Sequence, residues 1–249
     1  MITRHFNNLK SFPDLRYNTG TKTGYVRKTY ANVLHFDSPE FSEIQRVGFL
    51  IYTYAKGEKY IGLAIDTKYK QATDWGGGRH LSLPILSEGA RELYEESLGL
   101  FDYRDPKDLD RICNDQSTIC INDKYTMNFL IYADIDINQS KIDFRNRYNL
   151  AMSDPNRDKM PENCAIEWLS EYQFMDMINR TPSPAQFGIS NQTFIGMPIM
   201  FESRTEYNYV YDPNNLEVLT MYDRIRNLIR SSGKKLFYIH YKNIPRDYF

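Results

Sequence analysis

The feature that most constrains this chain is a run of charged residues, 91–96, that follows a run of glycines. The run reads Arg-Glu-Leu-Tyr-Glu-Glu, and at helical periodicity Glu92, Glu95 and Glu96 share one face, with Glu88 one turn earlier. Like charges at this spacing repel one another, so the pattern favours a cation among them. Hard divalent cations prefer oxygen ligands of this kind. The alternative interpretation is a solvated acidic face on a surface helix.

The glycine run, Gly76, Gly77 and Gly78, precedes that helix, and Gly77 lies fourteen positions before Arg91. Glycine permits a close approach of the backbone, and a Gly-rich turn that leads into a helix suits an anion held by backbone N–H groups. We therefore predict that the three glycines bind the substrate. We predict the same for His80, with an ordinary polar loop histidine as the alternative.

This order and spacing resemble the Nudix hydrolase signature. That signature runs Gly, five residues, Glu, seven residues, then Arg-Glu-apolar-x-Glu-Glu-x-Gly-apolar. Gly77 falls on the opening glycine, residues 91–96 on the core, and Gly99 with Leu100 on the closing pair. The chain departs from the pattern twice: Leu83 occupies the position of the first glutamate, and the spacing before the closing glycine is one residue longer.

The resemblance implies an α/β (α+β) fold, a Nudix-like α/β/α sandwich with a mixed β-sheet and additional insertions. It implies that Glu92, Glu95 and Glu96 are the catalytic and metal-binding residues, with Mg²⁺ or Mn²⁺ as cofactor. In the family the arginine that matches Arg91 orients a ligand glutamate. The base often comes from a loop outside the signature, and candidates for it are Glu167, Glu171 and Glu202.

The reaction that this resemblance implies is metal-dependent hydrolysis of a phosphoanhydride bond by a Nudix-type pyrophosphohydrolase. The substrate would be a nucleoside diphosphate linked to another moiety: capped RNA, a nucleotide sugar, ADP-ribose or a dinucleoside polyphosphate. Because Leu83 replaces a glutamate, a second hypothesis is a catalytically weak or inactive Nudix-fold module that binds a nucleotide or RNA. A third is a coincidental motif in an unrelated α+β interaction protein.

The bulk composition is that of a folded soluble protein, with 41% hydrophobic and 25% charged residues. With a net charge of −1, overall electrostatic attraction to nucleic acid or to a membrane surface is not expected. No run of apolar residues is long enough to span a membrane. Three cysteines without CxxC spacing argue against a structural zinc site or disulfide framework and for a cytoplasmic location. The expected partner is a nucleotide-type small molecule or an RNA 5′ end, with no membrane partner; a homodimer is an open possibility.

The chain is predicted to have an N-terminal extension, 1–45, packed on a Nudix-like hydrolase domain, 46–249. Residues 48–54 and 59–65 are predicted to form a hairpin. Ser87 is predicted to be the N-cap of the helix that carries Glu92, Glu95 and Glu96. Residues 102–115 are expected to be irregular, and 137–163 to form a polar insertion. The remaining predicted elements are strands at 117–121, 127–133, 165–169, 197–203 and 235–240, and helices at 170–178 and 216–232.

Overall fold

The computed structural model describes residues 23–26, 35–115, 117–155, 159–179 and 211–232. They form an α/β fold in which helices cover both faces of one mixed sheet, so the predicted fold class is confirmed. The strands are β1 (Thr23–Val26), β2 (Arg46–Ala55), β3 (Glu58–Asp66), β4 (Ala72–Thr73), β5 (Trp75–Gly78), β6 (Ile119–Asp123), β7 (Thr126–Tyr132) and β8 (Asn163–Ser170). The helices are α1 (Ile85–Glu96), α2 (Pro106–Cys113), α3 (Ile137–Ser153), α4 (Glu171–Asn179) and α5 (Asp223–Ser232).

The sheet has eight strands in the order β1-β6-β7-β2-β3-β4, with β5 also paired to β2 and β8 also paired to β3. Strand β2 runs parallel to β7 and antiparallel to β3 and β5, which makes the sheet mixed. The register of β5 on β2 places Gly77 opposite Val47. The glycine run is therefore fixed to the central strand by a backbone ladder.

Two hydrophobic cores lie on opposite faces of the sheet because successive side chains of a strand point to opposite sides. Along β2, Phe49 and Ile51 belong to the core beneath α1, α2 and α3, whereas Leu50 and Tyr52 belong to the core beneath α4 and α5. In the first core Trp75 packs edge-on against Phe101, and its indole N–H donates to the carbonyl of Gly62 at 3.1 Å. Helix α1 thus packs on a buried apolar layer.

The β2–β3 hairpin is confirmed, with a turn of two residues rather than four. Lys56 and Gly57 both have positive φ, 52° and 79°, which is the geometry of a tight hairpin turn between twisted strands. Strands β6, β7 and β8 and helix α4 also lie within about two residues of the ranges predicted for them.

Four sequence predictions about local structure are wrong. The glycine run is strand β5 rather than a loop, and α1 begins at Ile85, with Pro84 before it, rather than after Ser87. The region 102–115 contains α2, whose Asp105 carboxylate accepts the Lys107 N–H at 2.9 Å. The polar insertion is the 17-residue helix α3; only Ser140 and Phe144 of it are buried, so it shows no apolar periodicity to detect.

The predicted last helix is divided into a 3-10 turn, Leu216–Val218, and helix α5. The predicted strands 197–203 and 235–240 and most of the N-terminal segment lie outside the described residues. The proposed domain boundary at residue 45 stays a prediction; Phe36, Phe41 and Ile44 are buried in the α1-side core. Within the ranges given above, no helix is long and apolar enough to cross a membrane.

Candidate functional site

Helix α1 turns one face to the sheet and the other to a pocket. Ala90, Leu93 and Ser97 are buried against the core, as their position opposite the glutamates predicts. A Cβ added at Gly89 would lie 3.0 Å from the Phe49 ring, so this glycine lets the helix approach β2 closely. The carboxylates are therefore carried on a helix whose position is set by tight packing.

A single guanidinium, that of Arg91, engages three carboxylates of this helix. Its Nε and Nη2 donate to the two oxygens of Glu88 at 3.3 and 3.1 Å, and its Nη1 donates to Glu95 Oε2 at 2.8 Å. Its Nη2 also donates to Glu92 Oε1. The hydrogen bonds to Glu88, together with the charges of Glu92 and Glu95, raise the pKa of Arg91 above its ordinary value even though burial acts against this. Arg91 and these three carboxylates therefore form one hydrogen-bonded hub, of which the Arg91–Glu95 pair is a part.

Glu88 is the buried member of this hub, with a side chain only 2% exposed. Its Oε2 also accepts the backbone N–H of His80 at 3.0 Å, which ties the segment before α1 to the helix. Burial raises the pKa of Glu88, but the hydrogen bonds from Arg91 and His80 outweigh burial and leave that pKa below its ordinary value. Leu83, which occupies the position of the family's first glutamate, is 45% exposed, so its side chain lies largely in solvent.

Glu92 reaches the glycine strand. A Cβ added at Gly77 would lie 2.2 Å from Glu92 Oε2, so the carboxylate occupies the space that a side chain would take there. Burial raises the pKa of Glu92, while the charge of Arg91 opposes that rise. Gly76 allows a close approach to a different neighbour, because a Cβ on it would lie 2.3 Å from the backbone of Gly48 in β2. Two of the three predicted substrate-binding glycines thus have packing roles in this strand.

A buried ion pair holds β5 in place. Arg46 donates to both carboxylate oxygens of Asp74, at 2.6 and 2.7 Å, and to the Gly76 carbonyl at 2.6 Å. Asn128 of β7 donates to the same carboxylate. Because Asp74 is fully buried, these contacts connect β2, β5 and β7 beside the glycine run.

Glu96, the last residue of α1, is held from the start of β8. Asn163 Nδ2 donates to the Glu96 carbonyl at 3.2 Å and also to the Glu96 carboxylate. Glu162 interacts with the same carboxylate. Burial, and then the neighbouring charge of Glu162, raise the pKa of Glu96 to about 9. A carboxylate in this environment is strongly favoured to pair with a proton or a cation.

These glutamates open onto a pocket of about 750 Å³ between α1 and α3. Helix α1 contributes Glu92, Glu95 and Glu96, whereas α3 and the segment after it contribute Arg147, Asp154 and Lys159. The lining residues of the pocket are Glu92, Tyr94, Glu95, Glu96, Leu98, Arg147, Leu150, Ala151, Ser153, Asp154, Lys159, Met160 and Glu162. A ligand that matches both walls would be anionic toward Arg147 and Lys159 and would need a cation toward the glutamates.

The three predicted catalytic and metal-binding residues, Glu92, Glu95 and Glu96, all line this pocket, whereas the predicted substrate-binding residues are not among its lining residues. Gly78 offers its carbonyl to Arg91 at 3.5 Å, and the His80 backbone is bonded to Glu88. Their binding to substrate stays a prediction.

The candidate bases named from sequence lie in other environments. Glu167 is buried and bonded to Lys141 and Tyr211. Glu171 pairs with Lys59 at 3.6 Å, and burial lowers the pKa of that lysine to about 8. Neither glutamate lines the pocket, and the third candidate, Glu202, lies outside the described residues. The carboxylate that does line the pocket next to Glu96 is Glu162, which is not among the bases predicted from the sequence.

Three carboxylates lie at one end of the pocket. Glu92, Glu96 and Glu162 present carboxylate oxygens, and the repulsion of Glu96 by the other two would be relieved by a cation between them. In the part of the chain that the structure describes, however, no three acidic, His or Cys side chains are arranged so that they could hold a metal ion. Arg91 instead engages two of the pocket carboxylates, Glu92 and Glu95.

Three pocket residues, and one residue that bonds to Glu96, have no recognisable signal in the sequence: Arg147, Lys159 and Glu162 line the pocket, and Asn163 bonds to Glu96. They lie between 51 and 67 positions after Glu96 in the sequence. Arg147 is placed by a helix that has no amphipathic pattern, and its Nη1 donates to the Leu98 carbonyl at 3.0 Å. Only the tertiary fold brings them to α1.

No family model matches the chain, and no curated protein matches it. Among solved structures it is similar to a MutT/nudix family protein from Enterococcus faecalis, with 12% identity and a TM-score of 0.30. The match covers 54% of this chain and 46% of that one, so it spans about half of that protein's length. A similarity at this level gives no information about activity, so activity must be inferred from the side chains of the pocket.

Proposed function

We propose that this protein is a Nudix-type hydrolase that uses a divalent metal ion to cleave a phosphoanhydride bond in a nucleoside diphosphate linked to another moiety. The observation that carries the proposal is the pocket itself. Its acidic wall contains Glu92, Glu95 and Glu96 on one helix, and its other wall contains Arg147 and Lys159. A diphosphate bound together with a cation is complementary to both walls.

In this proposal Glu92, Glu96 and Glu162 would hold Mg²⁺ or Mn²⁺, and the ion would supply neutralisation of phosphate charge and activation of a water molecule. Arg147 and Lys159 bind the phosphate oxygens and orient the substrate. A water oxygen forms a bond to one phosphorus while the bridging P–O bond breaks, and its electron pair leaves with the other phosphate. A pocket carboxylate takes the proton released by the water.

A second candidate function is a module that binds a nucleotide or RNA without cleaving it. It is favoured by the exposed Leu83 at the position of the family's first glutamate and by the engagement of Glu92 and Glu95 by Arg91. Such a module would gain thermal stability from its ligand without forming product and with little dependence on metal.

The test is product formation from a panel of capped RNA, nucleotide sugars, ADP-ribose and dinucleoside polyphosphates, with and without Mg²⁺ or Mn²⁺. Glu96→Gln and Glu92→Gln should each lower the metal-dependent rate by about a hundredfold, because each removes a carboxylate that would hold the cation by which phosphate charge is stabilised. Glu40→Gln, on an exposed 3-10 turn outside the pocket, is the matched control and should react at the wild-type rate.

Two results would contradict hydrolysis. One is the absence of any product across the panel, with ligand-induced thermal stabilisation instead, which would favour the binding module. The other is full turnover by the Glu92→Gln, Glu96→Gln double variant, which would remove the acidic wall from the chemistry.

A further inference from the structure

One face of helix α3 passes from the apolar core into the pocket. Ser140 and Phe144 are buried on this face, and Ser140 Oγ accepts the indole N–H of Trp168 at 2.9 Å. Arg147 and Ala151 follow on the same face, at spacings of three and four residues, and both line the pocket. The side of the helix that faces the core therefore continues as a wall of the pocket.

Two apolar side chains at this wall are largely uncovered. Leu150 of α3 is 75% exposed, and Met160, in the segment before β8, is 61% exposed. The two residues come from different segments of the chain, yet both line the same pocket. Apolar surface that is gathered in a concave site, rather than scattered singly, is typical of a surface that binds a ligand.

Each of these apolar side chains has a cation next to it in the chain. Arg147 precedes Leu150 by three residues, about one helical turn, and Lys159 directly precedes Met160. Both cations also line the pocket. A ligand complementary to this wall therefore has an anionic part and an apolar part, and a diphosphate without an apolar group would leave Leu150 and Met160 in water.

An aromatic ring in the same pocket indicates what kind of apolar group fits. Tyr94 of α1 lines the pocket, and the guanidinium of Arg104 lies 4.3 Å from the centre of its ring. Aromatic rings and methionine thioethers both interact favourably with planar π systems, and tyrosine rings stack on nucleobases. The volume of about 750 Å³ is that of a site for a small molecule. These partners favour a planar base over a flexible alkyl chain.

We propose that Leu150 and Met160 are specificity-determining residues that bind the nucleobase of the substrate together with Tyr94, while Arg147 and Lys159 hold its phosphates. This inference rests on the proposed function and adds which part of the substrate lies against α3. Binding of the base covers the exposed apolar side chains, so the pocket prefers a nucleotide to a diphosphate that has no base.

The experiment is calorimetric titration with two non-hydrolysable probes, with Mg²⁺ present throughout. One probe, α,β-methylene-ADP, carries a base, and the other, methylenediphosphonate, does not. Leu150→Ala and Met160→Ala should each raise the Kd of α,β-methylene-ADP about five- to tenfold, because each removes apolar area that the base covers. Neither should change the Kd of methylenediphosphonate. Both side chains are largely exposed, so both variants should fold.

Met152→Ala is the matched control, because Met152 is an exposed apolar residue of the same helix that does not line the pocket. It should bind both probes as the wild type does. Three results would overturn the proposal: an unchanged Kd of α,β-methylene-ADP in both pocket variants, an equal loss of affinity for the two probes, or the same loss in Met152→Ala. Tighter binding of n-hexyl diphosphate than of α,β-methylene-ADP would also overturn it, since an alkyl chain would then be the occupant.

Failure of this inference and failure of the proposed function give different results. Wild-type protein that binds α,β-methylene-ADP through Leu150 and Met160, but forms no product from any substrate, would overturn hydrolysis and support the base site. Wild-type protein that hydrolyses a substrate, with an unchanged KM in both alanine variants, would overturn the base site alone. Wild-type protein that binds neither probe at millimolar concentration would overturn both.

Discussion

At the scale of single residues, the site depends on a missing side chain as much as on charged ones. Gly77 lies in β5, and the Glu92 carboxylate fills the position where a Cβ would be, 2.2 Å from Oε2. Gly78, the next residue, has no heavy atom within 4 Å of its Cβ position. Neither glycine has positive φ, so an alanine meets no backbone strain at either position.

This contrast gives a matched pair of substitutions. We expect Gly77→Ala to displace the Glu92 carboxylate, because the added Cβ would lie too close to it. The metal-dependent rate should then fall by about a hundredfold, since a shift of about 1 Å in a catalytic group can have an effect of that order. The free energy of unfolding should fall by less than about 1 kcal/mol, because the atom that moves is the end of a flexible side chain. Gly78→Ala should change neither quantity.

Initial rates at saturating Mn²⁺ and chemical denaturation of both variants provide the measurement. A Gly77→Ala variant with the wild-type rate would show that the position of Glu92 against β5 is unimportant for activity.

At the scale of elements, α3 builds the second wall of the pocket. This helix is capped by Asp136, whose carboxylate accepts the Gln139 N–H at 2.8 Å, and it ends at Ser153. Arg147 lines the pocket and donates to the Leu98 carbonyl just beyond α1, whereas Arg145 of the same helix does not line the pocket. The two arginines share one helix and one solvent-exposed setting but differ in what they face.

We therefore expect Arg147→Ala to raise the KM for an anionic substrate by about tenfold with a smaller change in kcat, because a phosphate contact made in the ground state is lost. Arg145→Ala, the control, should leave both constants unchanged. Steady-state kinetics at fixed Mn²⁺ make the comparison. Equal effects of the two substitutions would mean that α3 contributes general charge rather than a specific phosphate contact.

At the scale of the whole molecule, the sheet holds the site through a buried polar cluster as well as through two apolar cores. Asp74 accepts hydrogen bonds from Arg46 of β2 and Asn128 of β7, and Arg46 also donates to the Gly76 carbonyl of β5. These contacts connect three neighbouring strands at the place where the glycine run pairs with β2. The position of the carboxylate helix thus depends on the integrity of the central sheet.

We expect Asp74→Ala to lower the free energy of unfolding by about 3–5 kcal/mol, because it leaves the guanidinium of Arg46 buried without its partner. The control is Asp102→Ala, which removes one partner of the exposed pair with Arg104 and should leave stability unchanged. Urea denaturation followed by far-ultraviolet circular dichroism gives both values. An Asp74→Ala variant as stable as the Asp102→Ala variant would contradict a structural role for the cluster.

The sequence by itself determined the parts whose signals are local. Short runs rich in apolar and β-branched residues predict β2, β3, β7 and β8, and helical spacing places Glu92, Glu95 and Glu96 on one face of a helix. The sequence singles out the glycine run as a candidate binding segment, but does not predict that it forms a strand. That strand depends on pairing with β2, which lies about thirty positions away in the chain. Helix α3 was missed since its few buried residues give no periodic pattern.

Only the tertiary structure decided how the α1 carboxylates are used. Spacing shows that four glutamates are close, but burial and partners distinguish Glu88, held by Arg91 and His80, from Glu96, placed against Asn163 and Glu162. It also supplied the opposite wall from α3 and the segment before β8. The physical reason is that charge and hydrogen-bonding capacity are properties of a sequence, whereas desolvation and the choice of partner arise only when distant segments are packed together.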